Sequence, residues 1–494
     1  MAIQIQNSLT KKKEEFIPQT PPKVNLYSCG VTVYDDCHIG HGRSLYIFEV
    51  IRRYLKYRGF TVNFVRNITD IDDKIINRAN ELKTDWKQLV AKYIERYYQD
   101  LAALGLAKAD IEPRATENIP DMLKFIQGLI DKGYAYTTST GVYFSVRKFE
   151  DYGKLSGQGI EQMLSGVRKD VDETKEDPLD FALWKSSKPG EPFWESPWGK
   201  GRPGWHIECS VMSTKFLKAD TLDIHAGGRD LIFPHHENEI AQAQALSGKT
   251  FAKYWIHHGL LTIDGQKMSK SLGNFITIKD ALDKYHPDAL KIFFLQSHYA
   301  SPVDFSQKRM EEATKWYRSF VYLFTQIQSL QPKFFELAAA IDLEKLDEID
   351  SHRLEFEKAM DNDFNTPQAM VALEKIKSYC QSLIVSELIS VNAAKIKYAI
   401  KIIIELLNIL VLEPDKVDPL KDSRLATDMG LRENIQKTLA ESHDEEWART
   451  KQKERELAKK EKNYVEADRI RKELEDSGYI VLDRKDGSSE LRRK

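Results

Sequence analysis

The chain has 494 residues and a mass of 57.0 kDa, which is too long for one hydrophobic core and is typical of about three domains. Its formal net charge of −2 excludes a globally basic nucleic-acid-binding protein, so any RNA contact must come from local patches. No apolar run approaches the ~20 residues of a membrane span, so we expect no membrane association.

The cysteines and the amino terminus bear on the compartment. Four cysteines, Cys29, Cys37, Cys209 and Cys380, are too few for a disulfide framework in a chain of this length. The segment Met1–Lys13 has no apolar stretch of the kind that a secretory signal needs. We therefore expect a cytoplasmic protein in which clustered thiols serve a metal or catalysis.

The first predicted elements are a strand, a glycine-bearing turn and a helix. A polar lead-in over 7–22 is expected to be extended, and the apolar run Lys23–Cys29 predicts a strand. A helix is predicted over Ser44–Tyr57, stopped by Gly59. The strand Thr61–Ile68 completes a βαβ unit, which favours a parallel doubly wound sheet.

The turn between the first strand and helix contains His38, Gly40 and His41. Backbone N–H groups at such a turn and the positive end of the helix can bind a phosphate, to which two imidazoles can add hydrogen bonds. The alternative is that the histidines only cap or pack the helix. Ligands of parallel sheets bind at the carboxyl ends of the strands, which places Cys29 and the acidic segment Thr69–Asp73 at one site.

An insertion is predicted between two halves of the sheet. Lys74–Leu104 and Thr116–Lys132 are predicted helices, and Tyr134–Phe149 is a predicted hairpin. The segment Tyr152–Pro203 is expected to be rich in loops. We place the first half of the sheet domain at 1–111, the insertion at 112–197 and the second half at 198–306.

The second half contains a predicted strand, Asp223–Gly228, and a helix that opens at Pro234 and runs through Ala245. Further on, Lys267 and Lys270 lie in the segment Lys-Met-Ser-Lys-Ser, between two glycines. Two lysines on a mobile loop suit a polyphosphate. The alternative is a solvated basic loop.

The remainder of the chain is predicted to be mainly helical. A helical bundle is expected over 307–412, with a helix start at Thr366-Pro367, followed by a linker over 413–444. The tail, 445–494, combines two predicted helices with two short strands around Asp486-Gly487. The predicted fold is thus an α/β Rossmann-type doubly wound parallel catalytic domain with an insertion, followed by an all-α bundle and a small α+β unit.

Four side chains form a candidate metal site: Cys29, Cys209, His235 and Glu239. His235 and Glu239 are four residues apart, so a helix would present both on one face. Thiolates, imidazole and carboxylate are ligands of zinc. The alternative is that the cysteines are small buried hydrophobic residues and that the histidine–glutamate spacing is that of an ordinary helix.

Several long segments resemble the cysteinyl-tRNA synthetases, a family of class I aminoacyl-tRNA synthetases. They follow the order of that family and span the chain: Tyr-Ser-Cys-Gly-Val-Thr-Val-Tyr-Asp-Asp-Cys-His-Ile-Gly-His, Asn-Ile-Thr-Asp-Ile-Asp-Asp-Lys, Gly-Arg-Pro-Gly-Trp-His-Ile-Glu-Cys-Ser, Phe-Pro-His-His-Glu-Asn-Glu and Lys-Met-Ser-Lys-Ser-Leu-Gly-Asn.

The resemblance implies roles for individual residues. One zinc ion per chain would be held by the four candidate ligands and would bind the thiolate of substrate cysteine, unless the four ligands form a closed structural site. Thr69 and Trp205 match positions that hold the amino acid, with strand-end packing as the alternative. The three aspartates of Thr69–Asp73 would bind the α-amino group or stabilise a turn. Independently of the resemblance, His206, His225 and His236 lie near the candidate ligands in the sequence, so they either orient the ligands or the substrate or are satisfied core histidines.

The implied reaction has two steps. Cysteine and ATP, accompanied by Mg²⁺, give cysteinyl-adenylate and pyrophosphate, and the 3′ end of tRNA(Cys) then accepts the cysteine. His38 and His41, with Gly40 between them, would contact the ATP phosphates, and Lys267 and Lys270 would close over the pyrophosphate. The bundle would contact the tRNA stem, the tail would recognise the anticodon, and a monomer is expected.

Three alternative functions keep part of this pattern. A related ligase could pass activated cysteine to a small amine, but it would not need the tail. A non-catalytic RNA-binding paralogue should have lost a signature residue, and all of them are present. A nucleotidylyltransferase shares the histidine turn but would lack the lysine segment and the zinc ligands.

Overall fold

The structure is a computed structural model, and it describes residues 2–164, 174–269, 272–330, 347–385, 392–416, 447–484 and 489–493. The described chain separates into two compact units. The first unit comes from 1–317, 345–380 and 399–413, and the second comes from 318–344, 381–398 and 414–494. From residue 417 onward, the predicted linker lies outside the described residues.

The first unit contains both strands and helices. Its strands are β1 (Gln4–Asn7), β2 (Lys12–Glu15), β3 (Lys23–Ser28), β4 (Thr61–Arg66), β5 (Ala135–Thr138), β6 (Gly141–Phe144), β7 (Phe181–Ser186), β8 (Gly201–Pro203), β9 (Leu222–Gly228), β10 (Ala252–His258), β11 (Leu261–Ile263), β12 (Gln266–Lys267) and β13 (Val303–Phe305). Its helices up to residue 295 are α1 (Ile39–Tyr57), α2 (Asp73–Leu82), α3 (Trp86–Ala103), α4 (Ile119–Asp131), α5 (Ile160–Leu164), α6 (Trp205–Leu217), α7 (Glu237–Ser247), α8 (Ile278–Lys284) and α9 (Pro287–Leu295).

The central sheet has the order β10-β9-β3-β4, and every neighbouring pair is parallel. All seven residues of β9 are buried, as expected when helices cover both faces of a parallel sheet. The chain moves outward from β3 to β4 and later returns to the other side of β3 as β9. The strand order therefore reverses between β3 and β9, which is where such sheets bind ligands. The predicted parallel doubly wound sheet is confirmed.

The segment between β4 and β9 forms its own antiparallel sheet, in the order β5-β6-β7-β8. The predicted hairpin is present as β5 and β6. The expectation of loops over Tyr152–Pro203 was wrong in part, because β7 and β8 lie there. Strands of six and three residues are too short to show a clear alternating pattern.

Two predicted helix boundaries and the predicted lead-in were also wrong. The helix α1 begins at Ile39, five residues before the predicted start at Ser44. The predicted helix Lys74–Leu104 is broken, because Lys83 adopts a left-handed conformation with φ 51° and a new helix begins there after a capping aspartate. The lead-in contains a hairpin, β1–β2, instead of a single extended segment.

Further helices follow β13, and the predicted helical character of 307–412 is confirmed in its described part. These helices are α10 (Gln307–Gln328), α11 (Asp347–Asp361), α12 (Thr366–Ile384) and α13 (Ala393–Ile409).

The tail of the chain, within the second unit, is a small α+β structure, as predicted. It consists of α14 (447–460), α15 (Tyr464–Asp476), β14 (Tyr479–Asp483) and β15 (Ser489–Arg493). Ile470 and Leu474 of α15 pack with Ala448, Tyr479 and Val481 in a separate apolar core. The predicted turn Asp486-Gly487 lies outside the described residues.

Candidate functional site

The four predicted metal ligands come together beside the point where the strand order reverses. Cys29 directly follows β3, and its N–H donates to the carbonyl of Ala226 in β9 at 3.2 Å. Cys209 lies on α6. His235 precedes α7 in a tight turn, and Glu239 lies in the first turn of that helix. The sheet topology therefore gathers side chains that are far apart in the sequence.

The donor atoms of these four residues all lie within 4.8 Å of one another. His235 Nε2 is 2.9 Å from Glu239 Oε1, as the spacing of four residues predicts. Cys29 Sγ lies 3.5 Å from the same oxygen. Glu239 and Cys209 are almost completely buried, so the cluster is shielded from bulk water.

Histidines surround this cluster on several sides. His225 Nε2 contacts Glu239 Oε2 at 2.7 Å, and His206 Nδ1 contacts His235 Nδ1 at 2.9 Å. His236 Nε2 lies 3.2 Å from Cys29 Sγ. The three predicted supporting histidines thus each contact one of the four candidate ligands. Their contacts can fix which atom of each ligand faces the centre of the cluster.

The charges of the cluster are strongly coupled. Burial opposes ionisation of Glu239, but His225 and His235 outweigh it and hold the pKa of Glu239 well below its usual range. Burial would lower the pKa of His235, but Glu239 above all raises it to about 10. Burial also opposes ionisation of Cys209, yet a hydrogen bond from Cys29 and the neighbouring His235 lower its pKa to about 6.

This donor set fits zinc. Two thiols, an imidazole and a carboxylate are ligand types of four-coordinate zinc, and here their ligand atoms all lie within 4.8 Å of one another. A second set, Cys29, His225, His236 and Glu239, is equally compact but offers only one thiol. The first set therefore offers more sulfur, with a second thiol where the other set has a second imidazole.

His38 and His41 cap the start of α1. The His41 N–H donates to His38 Nδ1 at 3.2 Å, and the His38 N–H donates to His41 Nδ1 at 3.3 Å. Burial lowers the pKa of His38 to about 4 and that of His41 well below its usual range, so both rings are neutral. Because Nδ1 accepts in each ring, the proton of each neutral imidazole lies on Nε2.

Gly40 leaves room for the His38 ring and for the side chain of Met268 in the lysine segment. A Cβ atom at Gly40 would lie 2.9 Å from the His38 ring and 3.6 Å from the methyl group of Met268. The backbone joins the same segments, because Ile39 N–H donates to the carbonyl of Ile276 at 3.1 Å. The structure therefore brings the histidine turn and the lysine segment together.

The lysine segment is a loop that Asn274 braces. The Asn274 side chain accepts from Ser269 N–H at 2.8 Å and donates to the carbonyl of Lys267 at 3.2 Å. Lys267 ends β12 and is exposed. Lys270 lies outside the described residues, so its predicted role has no structural counterpart.

Thr69 and Trp205 lie beside the metal ligands. The Thr69 hydroxyl donates to Glu208 at 2.8 Å, next to Cys209 in the chain, and the Trp205 ring centroid is 4.2 Å from that of His235. Both positions adjoin the cluster, as the predicted contact with an amino acid requires.

The three aspartates after Thr69 make local contacts. Asp70 accepts from the N–H and hydroxyl of Thr116 at 2.9 and 2.6 Å, and Asp72 caps α2. Asp73 forms ion pairs with Lys185 and Arg202. Of the two predicted roles, these contacts favour turn stabilisation.

Comparison with known proteins places this site in a family. The family model "tRNA synthetases class I (C) catalytic domain" matches residues 15–315, and the model "DALR domain" matches residues 355–412. A Cysteine--tRNA ligase of Thermodesulfovibrio yellowstonii is 48% identical over 97% of both chains. One from Aquifex aeolicus is 45% identical over 100% of both chains.

The chain belongs to the cysteine–tRNA ligase family.

The fold of this member of the cysteine–tRNA ligase family is shared with other synthetases. A Mycobacterium tuberculosis methionyl-tRNA synthetase aligns with a TM-score of 0.59 at 14% identity, covering 80% of this chain and 92% of that one. An Agrobacterium radiobacter LeuRS aligns with a TM-score of 0.60 at 10% identity, covering 82% and 87%. None of the helices in the described part of the chain has the length and apolar character needed to cross a membrane.

Sequence reasoning missed three residues of this cysteine–tRNA ligase site. Asn67 lies between Cys209 and Thr69, and its amide donates to the Thr69 hydroxyl at 3.2 Å. Glu208 accepts from that hydroxyl, and His257 Nε2 contacts His236 Nδ1 at 2.8 Å. Asn67 and Glu208 adjoin recognised motif positions, and that adjacency was the available signal. Nothing in the sequence near His257 indicated its role.

Proposed function

We propose that this chain is a cysteine–tRNA ligase, which activates L-cysteine with ATP and transfers it to the 3′ end of tRNA(Cys). The observation that carries the proposal is the convergence of two thiols, an imidazole and a carboxylate in a chain that matches ligases of this name over its whole length. The other family motifs lie at the same end of the sheet.

We propose that Cys29, Cys209, His235 and Glu239 hold one zinc ion. Zinc supplies a Lewis acid that favours a thiolate over the hydroxyl of serine, because thiols lose their proton more easily beside the metal. The chain's own contribution is orientation: His225 fixes the Glu239 carboxylate, and His206 fixes His235. An apolar pocket alone would discriminate much more weakly between cysteine and serine.

We further propose that the ATP phosphates lie at the start of α1. His38 and His41 are neutral and carry their protons on Nε2, so each ring offers one uncharged donor to a phosphate oxygen. Such donors stabilise the charge that develops as the cysteine carboxylate attacks the α-phosphate. Mg²⁺ would accompany the ATP, and Lys267, with Lys270, would neutralise the leaving pyrophosphate.

The remaining roles follow from position. Thr69 and Trp205 would hold the amino acid, since both adjoin the proposed ligands. The helices over 307–412 would contact the tRNA stem, and 445–494 would recognise the anticodon. We expect a monomer. We also expect a reducing compartment such as the cytoplasm, because the proposed site needs two free thiols.

The deciding experiment measures transfer of labelled cysteine to total tRNA in the presence of ATP and Mg²⁺. The native chain should charge tRNA and contain zinc, whereas a folded Cys209→Ser variant should lose both properties. Cys380→Ser is the matched control, because Cys380 is buried on α12 as a free thiol and is not part of the cluster. If the native chain activates cysteine but charges no tRNA, the ligase that serves a small amine becomes the better explanation.

A further inference from the structure

A buried arginine follows the histidine turn on α1. Arg43 lies two residues after His41, and its side chain is completely shielded from solvent. Burial lowers the pKa of Arg43 to about 10, so the guanidinium group remains charged at neutral pH. A buried cation normally needs a carboxylate partner, yet among the described residues no carboxylate pairs with this one. Its charge is therefore balanced by something other than an acid.

Four backbone carbonyl groups take the place of a carboxylate. Nη1 of Arg43 donates to the carbonyls of Gly259 and Leu260 at 2.7 and 3.1 Å. Nη2 donates to the carbonyls of Tyr299 and Ser301 at 3.2 and 2.7 Å. The planar guanidinium group thus holds two separate stretches of backbone, one with each of its terminal nitrogens. A lysine could not do so, because its donors all radiate from a single nitrogen.

These two stretches are the corners from which the strands beneath the lysine loop begin. Gly259 and Leu260 immediately precede β11, and Ser301 lies two residues before β13. β11 pairs with β13 as a parallel partner and with β12, which ends at Lys267, as an antiparallel one. The lysine loop, which lies between β11 and α8, therefore extends from a sheet that Arg43 holds at its base.

The two corners approach each other closely. The Gly259 N–H donates to the carbonyl of Tyr299 at 2.8 Å, and a Cβ at Gly259 would lie only 2.1 Å from the carbonyl oxygen of Ser301. Carbonyl oxygens gathered in this way repel one another, since each carries partial negative charge. The guanidinium group offsets that repulsion, so its removal would let the corners separate.

The other end of the lysine loop is attached to the same helix. The N–H of Ile39, at the start of α1, donates to the carbonyl of Ile276 at 3.1 Å. Arg43 lies four residues, or about one turn, further along that helix. The helix that the two histidines cap therefore holds the lysine loop at both ends. A shift of the corners at Arg43 would change the separation between the histidine turn and Lys267.

We propose that Arg43 is a positioning residue for adenylate formation. By holding 259–260 and 299–301, it sets the distance between the lysine loop and the phosphate-binding turn. It does so without touching the substrate, since its side chain is inaccessible. The inference rests on the proposed function, in which the cysteine carboxylate displaces pyrophosphate from the α-phosphate of ATP beside Lys267. Pyrophosphate leaves in that first step, so loss of Arg43 should slow activation and spare the transfer to tRNA.

The test compares Arg43→Lys with Arg52→Lys in the full chain and follows the two steps separately. Arg52 is the matched control, because it is a buried arginine of the same helix that pairs instead with Glu49 and Asp110. In Arg43→Lys, single-turnover formation of cysteinyl-adenylate should slow about tenfold, while the KM for cysteine stays within about twofold of the native value. Transfer from preformed, enzyme-bound cysteinyl-adenylate should keep its native rate, and Arg52→Lys should keep both rates.

Two measurements separate positioning from a loss of stability. Rates are normalised to the concentration of active sites, so that a less stable chain loses active molecules without losing rate per site. Methylguanidinium, at concentrations too low to denature the protein, should restore part of the activation rate of Arg43→Ala. Methylammonium should not, because it has the charge but lacks the planar fork that spans two stretches of backbone.

Three results would overturn this assignment. Equal slowing of activation and transfer in Arg43→Lys would mean that the residue only supports the fold. A native activation rate in that variant would mean that the corners need no bridging group. Restoration of Arg43→Ala by methylammonium would show that charge alone is sufficient. A native chain that forms no cysteinyl-adenylate would instead refute the proposed function itself.

Gly259→Ala covers the case in which the Arg43 variants fail to fold. Its added methyl group meets the carbonyl oxygen of Ser301 and pushes the two corners apart while Arg43 is intact. Activation should again slow about tenfold, because small displacements at a reacting centre are costly, and transfer should again keep its native rate. An equal loss in both steps, or native activation, would contradict the assignment.

Discussion

At the scale of single residues, Asn67 connects the proposed metal and amino-acid sites. Its side-chain oxygen Oδ1 accepts from the Tyr27 hydroxyl at 3.0 Å and from Gly30 N–H at 2.8 Å, while its side-chain nitrogen Nδ2 donates to the Thr69 hydroxyl. Gly30 has no room for a side chain, because a Cβ there would lie 1.6 Å from the backbone carbonyl oxygen of Asn67. One side chain therefore sets the path of the backbone just after Cys29.

Replacing Asn67 with alanine should damage both stability and cysteine binding. The change leaves the half-buried Gly30 N–H and the buried Tyr27 hydroxyl without their acceptor, so we expect the free energy of unfolding to fall by about 2–4 kcal/mol. The KM for cysteine should rise, because Thr69 loses a donor. Chemical denaturation and pyrophosphate exchange measure the two effects. Asn63→Ala is the control, because Asn63 is an exposed residue of β4, and an equal loss there would contradict this account.

A second prediction at this scale concerns Asp100 on α3. Burial is the main cause that raises its pKa to about 6, although Arg96 opposes the rise and Asp36 adds a smaller contribution to it. The folded state therefore holds this proton more tightly than the unfolded state, and the native protein loses stability as pH rises from about 4 to 6. Asp100→Asn should be more stable than the native protein by about 1 kcal/mol above pH 6 and equal to it near pH 4. Urea unfolding at both pH values measures this, and an equal difference at the two would refute it.

At the scale of elements, the pairing of two short segments joins the histidine turn to the lysine loop. Ile278 N–H donates to the Cys37 carbonyl at 2.8 Å, beside the bond between Ile39 and Ile276. The helix α8 begins at this pairing, and its cap is reciprocal: Thr277 Oγ1 accepts from Asp280 N–H at 3.0 Å, and Asp280 accepts from Thr277 N–H at 3.0 Å. The cap therefore fixes the segment 276–278, which pairs with the histidine turn.

Loss of the Thr277–Asp280 cap should lower both the stability of the chain and the rate of catalysis. Thr277→Ala should lower the free energy of unfolding by about 1 kcal/mol, as is typical of a lost helix cap. It should also lower kcat for pyrophosphate exchange several-fold, because the loop loses its anchor. Thr277→Ser keeps the hydroxyl and should behave like the native chain. A stability loss without any change in kcat would mean that the pairing does not position the loop.

Sequence patterns predicted elements well where the pattern was long. The helix α1 was found because apolar residues repeat on one of its faces over several turns. The early start of α1 was missed because histidine is not a common capping residue, and here it caps only through a reciprocal pair. The break at Lys83 was missed because lysine rarely adopts a positive φ.

At the scale of the whole molecule, the catalytic fold and the tail have separate apolar cores. Among the described residues, the core around Ile470 and Leu474 in the second unit is formed by residues of the tail. The motifs predicted which side chains would converge in the first unit, since strand ends of a parallel sheet share one edge. Contacts such as His236 with His257 could not be predicted, because they depend on side-chain directions that no local pattern encodes.

Separate cores predict separate unfolding transitions. Leu474→Ala should destabilise the tail by about 2–5 kcal/mol, as is usual when a buried leucine is truncated. Calorimetry should show one transition moving to lower temperature while the other stays in place. Cysteine-dependent pyrophosphate exchange should remain near the native rate, while charging of tRNA falls. A single transition that shifts as a whole would mean that the two cores unfold together.

The order of strands in the central sheet also constrains how the chain folds during synthesis. β3 can pair with β4 early, but its other neighbour, β9, begins only at Leu222. Until β9 has left the ribosome, one edge of β3 remains unpaired and can promote aggregation. The sulfur of Cys29 is also exposed to oxidation during this time. The antiparallel sheet β5–β8 lies between them and can form from local contacts, which shortens the effective loop that must close. The insertion therefore has a kinetic value for the nascent chain that is independent of any role in the finished enzyme.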